Sequence, residues 1–186
     1  MNSMRKWLIM FVAVLGFAAQ AQAQDFSIRV GPSLYFVANS VVFGLDGRLY
    51  ATDVARIAPN INLGIVGSAN LIFVGSVAGS VSAGPVVVFS FDRGASFAYA
   101  GINLGIAFGG VTAVSFGFVS GVDYALSSSI GLFADISLGV SGGFGGGLDL
   151  GVDFGLSRGL DAYVKLNLQF GVGTAFGIGG GLKFAL

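Results

Sequence analysis

Three observations predict an all-β fold, a closed antiparallel up-and-down transmembrane β-barrel of about ten strands. The chain is 54% hydrophobic yet only 10% charged, well under the roughly 25% charge of soluble domains. After residue 19 no apolar stretch approaches the roughly 20 residues of a spanning helix, because glycine, 32 residues in all, interrupts every run. Apolar positions instead alternate with small or polar ones through most of the remainder. That pattern suits strands with one face in lipid and the other toward a lumen. Lipid offers backbone groups no water, so such a sheet must close on itself.

The first element is a leader. Arg5 and Lys6 precede an apolar run from Trp7 to Ala19, and Ala21-Gln22-Ala23 forms an A-x-A cleavage site. The run is too short to span a bilayer as a helix. Residues 1–23 are therefore read as a signal peptide and 24–186 as the barrel domain. Loss of Arg5 and Lys6 leaves seven basic residues against nine Asp, a balance that speaks against a nucleic-acid partner. There is no Cys, so a disulfide framework is excluded.

Strands follow in order. Phe26, Ile28, Val30, Leu34 and Phe36 share one face, opposite Ser27, Arg29, Gly31 and Ser33. Over 41–57 the alternation of Leu45, Leu49 and Ala51 fails at Asp53, so a bulge or loop is expected there. Ile61 to Phe73, Val81 to Phe91, Ile102 to Phe108 and Val114 to Tyr124 alternate again. So do Ile130 to Val140, Leu148 to Leu156 and Leu160 to Phe170. Three-residue turns centred on 59, 93, 128 and 158 join strand ends at intervals of one hairpin plus its connection. Gly75 to Gly79, Gly109-Gly110, Gly142 to Gly147 and Gly171 to Gly173 mark the opposite ends. Four such turns imply five hairpins, hence ten strands with both termini at one end. Eight strands is the alternative, if 26–57 do not form a hairpin.

GVDYALSSSIGLFAD (121–135) and GVDFGLSRGLDAYVK (151–165) nearly superimpose. Their pattern of G-V-D, an aromatic, then Leu-Ser and a short turn resembles the periplasmic hairpins of small outer-membrane barrels of the outer-membrane protein A and X type. The resemblance is good over the last third of the chain and extends to the rest as alternation only. It implies a place in the bacterial outer membrane, contact with outer-membrane lipid, and delivery by the barrel-assembly machinery. The terminal strand, with Leu182, Phe184 and Leu186 on one face, resembles that family's assembly signal. It departs in ending on Leu186, with the aromatic Phe184 two positions earlier.

The chain contains no His, which removes Ser-His-Asp triads and His-activated water. Without Cys as well, transition-metal sites lose their usual ligands. No catalytic residue, metal site or cofactor is therefore expected. Gly171 to Gly177 imitates a dinucleotide fingerprint, but the final spacing is wrong and no helix follows.

Charge concentrates on the polar face. Asp123, Asp135, Asp149, Asp153 and Asp161 are placed toward the lumen, with Arg29, Lys165 and Lys183. One reading is a structural network of paired charges; the other is a selectivity surface for small solutes. Most inward residues are Gly, Ser or Ala, with Tyr35, Tyr99, Phe133 and Tyr163 as exceptions. That leads to the expectation of a narrow, water-filled passage with slight cation preference. Phe36, Tyr50, Phe73, Phe108, Tyr124, Tyr163 and Phe184 are candidate interface anchors. The leading functional reading is a structural barrel or narrow passive pore. An adhesion protein using its loops, and a secreted self-assembling Gly-rich β protein, are the alternatives.

Overall fold

In the computed structural model the described residues are 26–38, 40–92, 95–109, 112–141, 143–171 and 174–186. The leader expected over 1–23 lies outside them. Ten strands run in sequence: β1 (Phe26–Val37), β2 (Ser40–Ala58), β3 (Ile61–Val74), β4 (Ser76–Phe91), β5 (Ser96–Phe108), β6 (Ala113–Ala125), β7 (Ile130–Val140), β8 (Phe144–Ser157), β9 (Leu160–Phe170) and β10 (Ala175–Ala185). Each pairs antiparallel with its neighbours in the chain, and β1 pairs with β10. The sheet is closed, and the eight-strand alternative falls because 26–58 form a complete hairpin.

Registered pairs lead from Phe26 to Ala51, Ile65 and Pro85. The ladder resumes on β5 at Ile102 and continues to Phe118, Leu138, Gly146 and Phe170. It arrives beside Ala175, whose partner on β1 is Val37. The circuit thus closes displaced by about twelve residues, the stagger of strands tilted about 40° to the axis.

The first and last described residues share one end of the barrel with the connections from β2 to β3, β4 to β5, β6 to β7 and β8 to β9. This is the terminal end; the other is the loop end. Turn chemistry is local: Asn60 adopts φ 65° and Gly159 φ 76°, left-handed values that Asn and Gly tolerate best. At the loop end a single residue, Gly75 at φ 64°, separates β3 from β4. Residues 76–79 and 144–147, expected in loops, instead begin β4 and β8. Small residues satisfy a ladder as well as a turn, so composition alone misplaced those ends.

The expected irregularity near Asp53 is a bulge. Ala51 pairs with Ile65 and Ala55 with Leu63, so three residues of β2 face one of β3. Elsewhere, alternation sends large apolar side chains outward on all ten strands, from Leu34 on β1 to Phe184 on β10. Aromatic rings gather near both rims of this outer face. Phe36 stacks on Phe176 at 6.2 Å and Phe43 on Phe73 at 5.8 Å at the loop end. Phe91 stacks on Phe89 and Tyr124, each at 6.2 Å, at the terminal end. Tyr50 and Tyr163, expected among the anchors, point inward and are buried. For Tyr163 this agrees with the inward side that its parity predicts; Tyr50 shares parity with Arg48, so aromatic character is the wrong guide to its side.

Candidate functional site

The inward face carries two different surfaces along the axis. Toward the terminal end the lumen is filled. Tyr50, Val66, Val86, Val88, Tyr99 and Val119 form one buried cluster, with Phe97 packed against it. Tyr50 meets the rings of Phe97 and Tyr99 edge-on at 5.9 and 5.8 Å. Across the lumen Phe133 meets Tyr163 edge-on at 6.1 Å. Between these aromatic groups lies Arg29, only 3% exposed, its guanidinium 4.0 Å from the centre of the Phe133 ring.

Arg29 ties together strands from distant parts of the chain. Its Nη2 donates to Asp153 at 2.6 Å and to Asp123 at 2.7 Å. Its Nε donates to Asp153 at 3.2 Å and its Nη1 to the Tyr50 hydroxyl at 3.0 Å. Lys183 lies 3.1 Å from Asp123, 2.9 Å from Asp153 and 3.9 Å from Asp161. One Arg and one Lys thus serve three carboxylates. Burial of so many charges is tolerable only because each has partners.

A second layer sits above the first, toward the loop end. Arg48 reaches Asp135 at 3.3 Å and Asp149 at 3.7 Å. Lys165 bridges Asp46 at 3.1 Å and Asp149 at 3.2 Å. Neutral donors complete the carboxylates. Tyr35, Ser33 and Asn70 donate to Asp46, Tyr50 and Tyr99 to Asp135, and Asn167 to Asp149. The Tyr50–Asp135 bond, 2.8 Å long, joins the two layers.

All eight charged residues assigned inward from the sequence lie in this network. Asp46 and Arg48 also belong to it and were missed, because the failed alternation at Asp53 discredited the whole of 41–57. Their signal was present: they share parity with each other and oppose Leu45 and Leu49. Adding one of each sign leaves the acidic excess of the lumen unchanged. Leu182 and Phe184 face outward on β10, and the Leu186 amide donates to the Phe26 carbonyl at 2.9 Å, extending the seam.

From the filled level through the second layer toward the loop end the lumen holds a cup of about 450 Å³. Its wall includes Ser68, Ser80, Ser82, Asn103, Ser137 and Gln169, and Phe108 lies at its rim. Small inward residues predominate here, as expected, but not below. The side chains that meet at this level, Arg29, Tyr50, Val66, Val88, Tyr99, Phe133 and Tyr163, are at most 4% exposed. Among the described residues they leave no continuous water-filled passage of the kind expected from the sequence. Of the large inward residues counted as exceptions, Tyr99, Phe133 and Tyr163 are concentrated at one level, while Tyr35 lies nearer the loop end on Asp46; concentration closes a lumen where the same residues spread out would not.

No family model matches the chain, and no curated protein matches it. Among solved structures, a loop L8 deletion mutant of OmpT, an outer membrane protein of Vibrio cholerae, is similar at 11% identity and TM-score 0.47. That match covers 83% of this chain and 62% of the other, so this chain spans less than two thirds of its length. The low-pH structure of Pseudomonas putida OprB follows at 11% identity and TM-score 0.25, covering 100% and 98%. A mutant porin of Rh. blastica stands at 8% identity and TM-score 0.21, covering 87% and 100%. At such TM-scores none of these likenesses fixes a shared topology.

Proposed function

We propose that the chain is a non-catalytic integral β-barrel of a bacterial outer membrane whose lumen is closed at rest. The observation that carries this reading is the outer surface. Within the described strands every charged residue points into the lumen, apart from Asp53 and Arg56 at the irregular end of β2. A water-soluble barrel of this size would expose charge on its outside; lipid requires the reverse. From Phe176 to Phe184 along β10 a tilted strand rises about 20 Å, comparable to the roughly 25 Å apolar band of outer-membrane barrels.

The terminal strand then has the role of an assembly signal through Leu182, Phe184 and Leu186, and outer-membrane lipid and the assembly machinery are its partners. The likeness to the outer-membrane protein A and X type is one of class, since that type is built on eight strands. The filled level favours a structural role over a passive pore. Purified barrel in planar bilayers tests this. It is expected to shift its gel mobility on boiling and to show no steady conductance. Steady conductance would restore the pore reading, and unchanged mobility together with recovery in a soluble fraction would remove the membrane reading.

A further inference from the structure

We propose that the cup at the loop end binds a small neutral polyhydroxylated molecule, the size of one or two sugar rings. The inference rests on the barrel reading above. Among the described residues the cup is floored by the filled level at Arg29, Phe133 and Tyr163, carries the second charged layer in its lower wall and widens toward the loop end, with a volume in the range of small-molecule sites. What its wall offers decides the ligand class. Ser80, Ser137 and Gln169 line the cavity, and their side chains make no hydrogen bond among the described residues. Ser68 and Ser82 share one bond at 2.8 Å, which leaves further lone pairs and one hydroxyl proton available.

The charged groups beneath are committed to each other. Asp46, Asp135 and Asp149 are held by Arg48, Lys165, tyrosines and amides, so they present no open carboxylate to a cation. Three carboxylates against two cations leave the layer slightly acidic, which disfavours an anion. The remaining capacity is neutral donors and acceptors. A second observation lies at the floor. Arg48 Nε and Asn167 Oδ1, a donor and an acceptor, are buried without partners, and both residues line the cup. Buried polar atoms left unpaired call for a missing partner. Neither atom is exposed to the cup, so a sugar hydroxyl meets it only as the Arg48 or Asn167 side chain turns to receive it.

The test is an NMR titration of the folded, isotope-labelled barrel in detergent micelles with maltose, and in parallel with sodium phosphate and glycine betaine. Maltose is expected to shift the Asn103 and Gln169 side-chain amides saturably, and the two charged probes are not. Ser137→Leu and Gln169→Leu, which break no bond of the network, are expected to weaken maltose binding roughly tenfold without changing unboiled gel mobility. A folded barrel with no saturable maltose shift overturns the proposal, as does saturation by phosphate or betaine at the same resonances. Loss of heat-dependent mobility would instead sink the barrel reading itself.

Discussion

Replacing Arg29 by Met removes the residue on which the filled level depends. Four hydrogen bonds are lost, three of them to Asp123 and Asp153. The methionine still packs on the Phe133 ring where the guanidinium lay. Breaking a buried ion pair from one side costs about 3–5 kcal/mol, since the abandoned carboxylate stays buried. Lys183 remains within 3.1 Å of both carboxylates, so the lower part of that range is expected. Adding Asp153→Asn leaves one carboxylate, Asp123, facing Lys183 closely, and is expected to recover about 1–2 kcal/mol, a coupling of the size seen between network partners. Equilibrium urea unfolding in micelles, read by unboiled gel mobility, measures both. A single-variant loss under about 1 kcal/mol, or strictly additive effects, would refute the claim that Arg29 and its carboxylates act as one stabilising network.

Two further outcomes probe the outer face and the seam. Leu150→Arg, outward in the middle of β8, is expected to cost about 2–4 kcal/mol, whereas Ser137→Arg in the cup costs less; equal losses in the same urea assay would show that the outer face does not meet lipid. Gly31→Ala puts a Cβ 2.1 Å from the Gly180 carbonyl oxygen and 2.6 Å from Gly181 Cα at the β1–β10 seam. Only backbone is available to move there, so a loss of about 1–3 kcal/mol in unfolding free energy is expected, and an unchanged midpoint would contradict so close an approach.

Parity carried most of the fold. Strict alternation in β7, β8 and β9 gave the side of every residue, because a period of two leaves only two choices and lipid rejects one. Parity fails where the backbone breaks it, above all at the β2 bulge, and that lapse hid Asp46 and Arg48. Strand ends were less legible. Ser76 to Gly79 and Phe144 to Gly147 read as loop while pairing as strand, since small residues carry no directional signal. What a sequence pattern does not state is height. Arg29, Tyr50, Val88 and Tyr163 are far apart in the chain, and only the stagger of the strands brings them to one level.

Height is also what separates a barrel that conducts from one that does not. Ten strands enclose more space than the eight that ordinary side chains fill, so closure needs large inward groups in one plane. The chain supplies them near the terminal end: Arg29, Tyr50, Val86, Val88, Tyr99, Phe133 and Tyr163. At the loop end it supplies Gly44, Ser68, Ser80, Ser82, Gly105, Ser137 and Gly147 instead. Side-chain volume therefore falls along the axis from the terminal end to the loop end. Glycines spread evenly would leave a uniform channel, and aromatics spread evenly a solid core. Among the described residues the gradient closes the lumen toward the terminal end and widens it toward the loop end.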